Sequence, residues 1–213
     1  MDILLGVRTE KEVLLVTSRS LARGVSVLKA DDVKVTECNS RTAMAFSGEP
    51  GDTVNFIEYI KANVQLYSFR HSTELSTTAV ASFARQELAK SLRTRKPYQV
   101  NLLVAGAENG KSELHWIDYL GTNVSLPYAA HGYASYYVLS TLDRWWKPTL
   151  TLEQGVELVN KCLNELTMRL PIDFKGCDIH VVNEEGTRLY EPAGPSDAST
   201  SAPQPSQPTA VSS

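Results

Sequence analysis

The spacing of hydrophobic residues changes several times along this chain, and this change restricts the fold more than any other feature of the sequence. Short apolar runs are typical of β-strands, whereas apolar residues at every third or fourth position indicate amphipathic helices. The predicted strands cover residues 3–7, 12–16, 34–37, 42–47, 99–106, 112–118, 178–182 and 187–190. The predicted helices cover about residues 54–67, 76–96, 133–145 and 151–170.

Local signals support the ends of several helices. Asp52 lies just before the first helical pattern and is expected to cap that helix. The second helix is expected to start near Ser76 and to run into basic residues before Pro97, which cannot continue a helix. Thr151 and Gln154 have the spacing of a capping box, so the fourth helix has the clearest start.

The order of these elements predicts a layered α+β fold. Strands joined by short turns pair antiparallel, and pairs of helices between groups of strands pack as layers outside a sheet. Several strands have apolar residues at consecutive positions, which indicates that both of their faces are covered. We therefore expect a four-layer αββα sandwich, in which two sheets pack face to face between two helical layers.

The last twenty residues differ in composition from the rest of the chain. Residues 194–213 contain four prolines, many Ser and Thr, and only Val211 as an aliphatic side chain larger than alanine. Such a segment buries too little apolar surface to offset the entropy of ordering. We predict one domain over residues 1–193 and a disordered Pro/Ser-rich tail over residues 194–213.

Composition and charge exclude several functional classes. The formal net charge is -3, which argues against a nucleic-acid partner, and no apolar stretch reaches the roughly 20 residues of a membrane helix. The chain starts without a basic-then-apolar leader, so secretion is not expected. Three widely spaced cysteines suit buried thiols in a reducing compartment. On a strand, Cys177 and His180 would face opposite sides, so no metal site is expected there.

Eight short segments in one order resemble the β-type subunits of the proteasome, which belong to the N-terminal nucleophile hydrolases (peptidase T1 family). They are residues 3–8 (ILLGVR), 16–19 (VTSR), 46–52 (FSGEPGD), 88–93 (LAKSLR), 95–101 (RKPYQVN), 117–122 (IDYLGT), 128–132 (YAAHG) and 171–176 (PIDFKG). The resemblance spans about residues 2–190. It implies the αββα fold and a place in a barrel of four stacked seven-membered rings, whose β rings enclose a proteolytic chamber.

The resemblance also implies which residues a catalytic site would need. Active members of the family use an N-terminal threonine as the nucleophile, a lysine that lowers its proton affinity, and an aspartate that keeps the lysine charged. A further aspartate and serine support the site. The positions in this chain at or near those roles are Met1, Thr17, Lys34, His131, Ile172 and Lys175. Lys34 aligns with the family lysine if one residue is inserted between Ser20 and Gly24.

These replacements predict a non-catalytic structural subunit with no bound cofactor or metal. Lys34 alone would be a relict of the family site, with a structural or solvated role. An active N-terminal-threonine peptidase remains the alternative, through cleavage before Thr122, Thr187 or Cys177, each of which follows a glycine. An isolated binding module is a third and weaker hypothesis.

The partners expected for this chain follow from the resemblance alone. They are the other β subunits of the same ring, with beta-3 and beta-5 as neighbours, the α-ring subunits and the opposite β ring. The sequence leaves contacts with assembly chaperones open. The resemblance also implies a role in ubiquitin-dependent and ubiquitin-independent protein degradation, in the cytoplasm and nucleus.

Overall fold

A computed structural model of the chain describes residues 2–23, 26–171, 174 and 176–191. The described strands are β1 Leu4–Arg8, β2 Val13–Ser18, β3 Leu21–Arg23, β4 Ser26–Lys29, β5 Val35–Asn39, β6 Thr42–Gly48, β7 Val100–Glu108, β8 Lys111–Ile117, β9 Asn123–Ser125, β10 Tyr128–His131, β11 Cys177–Asn183 and β12 Gly186–Leu189. The described helices are α1 Pro50–His71, α2 Thr77–Ser91, α3 Ser135–Trp145 and α4 Leu152–Arg169. The tail predicted over residues 194–213 lies outside the described residues.

The strands form two five-stranded antiparallel sheets. The first has the order β10-β1-β2-β11-β12 and the second β5-β6-β7-β8-β9, while β3 and β4 pair as a separate hairpin. In the first sheet Leu4 of β1 lies opposite His131 on one side and Thr17 on the other, and Thr17 lies opposite Asp178. This register brings residues from four distant parts of the sequence into one row.

Three apolar layers confirm the predicted αββα sandwich. Leu14 and Val16 of β2 pack against α3 and α4, whereas Val13 and Leu15 of the same strand pack against the second sheet. The outer face of the second sheet is covered by α1 and α2. The central strands are apolar at consecutive positions because each of their faces is buried in a different layer.

The first helix begins two residues earlier than the predicted cap. Glu49 is the residue before the first turn, Pro50 occupies that turn, and Asp52 is already helical. Proline suits the first turn because its missing N–H would have no partner there. The Asp52 carboxylate instead accepts a hydrogen bond from the N–H of Gln99, at 3.1 Å, and so joins α1 to the residue before β7.

The exposed residues of α1 also correct part of the predicted apolar stripe. Ile57, Ile60 and Val64 are buried as predicted, but Val54 is 54% exposed and Tyr67 is 37% exposed. α1 is 22 residues long. Both ends of the predicted stripe therefore lie on the solvent side of the helix.

The second helix ends at Ser91, five residues before the predicted end at Lys96. The N–H of Arg93 donates to the carbonyl of Lys90, and the N–H of Thr94 donates to the carbonyl of Ser91. These shorter-range bonds tighten the chain after the last helical turn. The predicted starts are confirmed, since Ser76 caps α2 and Thr151 with Gln154 forms the capping box of α4. None of the described helices is long and apolar enough to cross a membrane.

Candidate functional site

Lys34 precedes β5 and directs its side chain into the protein, where only 4% of that side chain is exposed. Its Nζ atom donates hydrogen bonds to the carbonyl oxygens of Ser18, at 2.8 Å, and Ser20, at 2.9 Å. These two carbonyls lie at and just beyond the end of β2, next to the hairpin of β3 and β4. Lys34 is therefore buried and hydrogen-bonded rather than solvated.

Two carboxylates balance the charge of Lys34. Its Nζ lies 3.3 Å from Oδ2 of Asp32 and 3.9 Å from Oδ1 of Asp2. The N–H of Asp32 donates to the carbonyl of Arg19 at 2.7 Å, which holds this loop against the end of β2. Burial raises the pKa of the Asp2 carboxyl group, and the positive charge of Lys34 only partly opposes that effect.

The contacts of Lys34 account for all the hydrogen-bond donors of its side chain. An ammonium group has three N–H donors. Two backbone carbonyls and the nearer carboxylate match those three donors, so Lys34 serves to hold the end of β2, the Asp32 loop and the start of the chain together.

Thr17 is the residue that the resemblance places at the family's aspartate. It is buried on β2, one residue before the Ser18 carbonyl that Lys34 contacts. A threonine cannot supply a counter-charge, and Asp32 and Asp2 supply it from other segments. Sequence reasoning missed both residues, although Asp32 is only two positions before Lys34 and so could have been considered.

His131 ends β10 and lies buried between the two sheets. Its Nε2 atom is 2.9 Å from the carbonyl oxygen of Leu102, and its ring stacks on Trp116 with centroids 4.7 Å apart. Burial lowers the pKa of this imidazole to about 4. The ring is therefore neutral near pH 7, and its Nε2–H donates to Leu102 rather than taking part in proton transfer.

Beside the lysine, a salt bridge joins the end of β2 to the start of β11. Nε of Arg19 lies 2.6 Å from Oδ1 of Asp178, and the N–H of Arg19 donates to the carbonyl of Gly176 at 3.1 Å. These contacts join the residues around the end of β2 to the start of β11. Met1, Ile172 and Lys175 lie outside the described residues, so the roles predicted from their positions remain predictions.

The open space near Lys34 is small. A cavity of about 140 Å³ is lined by residues that include Asp2, Leu21, Lys34 and Phe46. Small-molecule sites usually enclose about 300–1,000 Å³. Among the described residues, no group of three or more His, Cys, Asp or Glu side chains is placed to hold a metal ion.

The fold has two antiparallel sheets packed face to face between helical layers, and a buried lysine lies beside the start of the first strand. This arrangement defines the αββα class of the N-terminal nucleophile hydrolases. Residues 3–182 match the family described as "Proteasome subunit". The chain belongs to the proteasome subunit family.

Relatives of known type place the chain among the β subunits of that family. It is 56% identical over 194 residues to the "Probable proteasome subunit beta type-4" of Meyerozyma guilliermondii, covering 90% of this chain and 100% of that protein. It is 52% identical over 193 residues to "Proteasome subunit beta type-4" of Saccharomyces cerevisiae, covering 90% and 98%. A rice "Proteasome subunit beta type-2" is 39% identical over 191 residues, covering 89% and 90%. The resemblance to β-type subunits is confirmed.

Proposed function

We propose that this chain is a non-catalytic structural β subunit of the 20S proteasome core. It would fill one place in the β ring and help to enclose the chamber used in ubiquitin-dependent and ubiquitin-independent degradation. The observation that carries this proposal is the environment of Lys34, which holds two carbonyl oxygens and two carboxylates. The names of its relatives support a place among the β subunits.

Peptide cleavage by an N-terminal nucleophile requires a hydroxyl or thiol beside that lysine. In the described part of the chain, the charged side-chain groups within 4 Å of Lys34 Nζ are the carboxylates of Asp2 and Asp32, and Nζ also donates hydrogen bonds to two backbone carbonyls. The hydroxyl of Ser18 accepts a hydrogen bond from the N–H of Ile3 at 3.2 Å, and Ser18 lies within the chain, so it carries no free α-amine to take up its proton. A carboxylate at the start of β1 does not replace a hydroxyl that attacks a carbonyl carbon.

The ring position is part of the same proposal. The short segments quoted above resemble the subunit named proteasome subunit beta type-2, at the beta-4 position of the ring. Several relatives above 50% identity instead carry the name beta type-4. We propose the position shared by these relatives, with beta-3 and beta-5 neighbours, α subunits on one side and the opposite β ring on the other. We propose that the chain is located in the cytoplasm and nucleus.

An active threonine-type peptidase is the alternative, and it would need internal cleavage to expose a nucleophile. Cys177 is the first residue of β11 and lies opposite Ser18 of β2, so cleavage before it would cut the chain where a paired strand begins. Thr187 lies within β12, where cleavage would cut a paired strand. Thr122 lies between β8 and β9, and its N–H donates to Asp118 at 2.8 Å.

A covalent inhibitor separates the two functions. The assembled particle is incubated with a peptide epoxyketone, which reacts with both the hydroxyl and the free amine of an N-terminal threonine. Mass spectrometry then locates the adducts. We expect adducts on other β subunits and none on this chain, and an adduct on this chain would establish the alternative.

A further inference from the structure

Asn109 and Gly110 form the two-residue turn between β7 and β8, and they are the only Asn-Gly pair in the chain. Glu108 and Lys111 on either side of the turn lie opposite each other in the sheet. The φ angles of Asn109 and Gly110 are 54° and 72°. Two positive φ angles are typical of a type I′ turn, which Asn and Gly adopt with little strain. The turn explains why these residues stand here, but an Asn-Gly pair also has a reactivity of its own.

An asparagine followed by glycine loses its side-chain amide without an enzyme. The backbone nitrogen of the glycine attacks Cγ of the asparagine, a bond forms between these two atoms, and the bond from Cγ to Nδ2 breaks. Ammonia leaves with the proton that the glycine nitrogen loses, and a five-membered succinimide ring remains. Water then opens the ring at one of its two carbonyls and yields aspartate or isoaspartate. Glycine favours the attack because it has no Cβ to obstruct it.

The turn is open to the water that this reaction consumes. Asn109 and Gly110 are both exposed. A Cβ atom at Gly110 would meet nothing within 4 Å, so the backbone there is not crowded by other parts of the chain. The reacting atoms therefore lie at the surface, where water reaches the ring once it has formed.

A hydrogen bond restrains the nitrogen that attacks. The N–H of Gly110 donates to Oε1 of Glu184 at 2.5 Å. Glu184 lies in the turn between β11 and β12, so this contact joins turns of the two different sheets. Moving the nitrogen of Gly110 towards Cγ of Asn109 requires rotation about the Cα–C bond of Asn109, which turns the N–H away from Glu184. Hydrogen bonds to a carboxylate are among the stronger ones in proteins, so this rotation is opposed.

Asn39 has a different environment, although it is also followed by a small residue, Ser40. Its Nδ2 donates to the carbonyl of Leu75 at 2.8 Å, and its Oδ1 accepts from the N–H of Arg41 at 3.1 Å. Both ends of this amide are held, so its Cγ is not free to turn towards the nitrogen of Ser40. Asn39 is therefore an internal control for Asn109.

We propose that Asn109 is a site of spontaneous deamidation, and that the hydrogen bond from Gly110 to Glu184 slows the reaction. The step needs only this chain and water, so it does not depend on assembly with other subunits. Aspartate at position 109 would add a negative charge close to Glu184 and so weaken the contact between the two turns. Isoaspartate would add a methylene group to the backbone, which a two-residue turn between Glu108 and Lys111 does not accommodate in its present register.

Peptide mass spectrometry of the full chain tests the modification. The folded chain is kept at pH 7.4 and 37 °C, and samples taken over several weeks are digested at mildly acidic pH, so that no deamidation arises during digestion. We expect the mass gain of replacing NH by O at Asn109 and none at Asn39, with isoaspartate in part of the modified chains. An Asn109 that stays unmodified, or equal modification of Asn39, would overturn the proposal.

Alanine variants of two neighbouring glutamates test the restraint. Glu184→Ala removes the acceptor of the Gly110 N–H, whereas Glu185→Ala removes an equal charge from the same exposed turn. We expect Asn109 to deamidate at least about threefold faster in Glu184→Ala than in the wild type, and at the wild-type rate in Glu185→Ala. Asn39 should stay unmodified in both variants, which separates a local release of the turn from unfolding.

Three results would overturn the proposed restraint. A Glu184→Ala rate equal to that of the wild type would show that the hydrogen bond does not hold back the reaction. A lower rate would make Glu184 the base that takes up the proton of the Gly110 nitrogen. An equal rise at Asn39 would show that the variant deamidates because it unfolds.

Discussion

The Nζ atom of Lys34 lies 2.8 Å from the carbonyl oxygen of Ser18, and this contact joins the segment before β5 to the end of β2. Replacing Lys34 by methionine keeps most of the length of the side chain but removes its charge and its donors. Two carbonyls and two carboxylates then lose their shared partner. We expect the free energy of unfolding of the full chain to fall by about 3 kcal/mol, measured by urea denaturation.

Lys29 provides the matched control for that substitution. Its side chain is 50% exposed and lies 3.8 Å from Asp31 and 3.9 Å from Asp32. Exposed ion pairs of this kind contribute little, so Lys29→Met should change stability by less than about 1 kcal/mol. Equal losses in the two variants would contradict the structural role assigned to Lys34.

The buried imidazole of His131 predicts a dependence of stability on pH. Its pKa is about 4 in the folded protein and about 6.5 when unfolded, because burial disfavours the charged ring. Between these values the unfolded chain binds the proton and the folded chain does not. Stability contributed by this group is therefore full above pH 6.5 and is lost as the pH falls towards 4, by about 3 kcal/mol in total.

The measurement is urea denaturation of the wild type and of His131→Phe at several pH values between 4 and 7. The phenylalanine ring retains the volume and the stacking on Trp116 but cannot take up a proton. The variant should be less stable at pH 7, because it leaves the carbonyl of Leu102 without its donor. Its stability should nevertheless fall less on acidification, and equal pH slopes in the two proteins would refute the assignment.

Gly106 allows α2 to approach the second sheet. A Cβ atom at this position would lie 2.0 Å from Oγ1 of Thr77 and 2.8 Å from the carbonyl oxygen of Arg41. Thr77 is the first residue of α2 and its hydroxyl meets that of Thr42 at 3.1 Å, so it has little room to move. Gly106→Ala should cost about 3 kcal/mol of unfolding free energy, measured by thermal or urea denaturation.

Gly51 supplies the comparison for the same substitution in an open place. It lies in the first turn of α1, and a Cβ there would meet nothing within 4 Å. Gly51→Ala should stabilise the protein by about 0.5 kcal/mol, because alanine has fewer conformations to lose on folding. A Gly106→Ala variant as stable as the wild type would show that α2 can shift without loss.

The three cysteines should be unreactive in the folded protein. Burial raises the pKa of Cys38, Cys162 and Cys177 to about 12, so very little thiolate exists near pH 7. Iodoacetamide at pH 7.4 should add to none of them in the native protein and to all three in urea. Mass spectrometry measures the number of adducts, and rapid alkylation of the native chain would contradict the predicted protonation.

Hydrophobic spacing was sufficient to predict the layers of this fold but not every strand. The pattern missed β3, β4, β9 and β10, which are only three or four residues long. All four residues of β4 are exposed, so that strand has no buried face to impose an apolar pattern. β10 is recognisable as a strand only through its pairing with β1, more than 120 positions away.

The candidate site shows the same division. The residue types at positions 17, 34 and 131 were readable from the sequence, and they indicated a degraded catalytic site. The sequence did not reveal that Asp32 and Asp2 balance Lys34, or that burial keeps His131 neutral. Both properties depend on how far each side chain is removed from water and on what lies around it.

The sequence by itself determined the periods of the strands and helices and, through its short segments, the family. Those properties depend on residues close together in the sequence, since a strand or helix repeats its buried positions every two to four residues. Tertiary structure alone decided what Lys34 and His131 do. The backbone carbonyls that they contact lie 14 to 29 positions away in the chain, and hydrogen bonds and desolvation act only once folding brings those groups together.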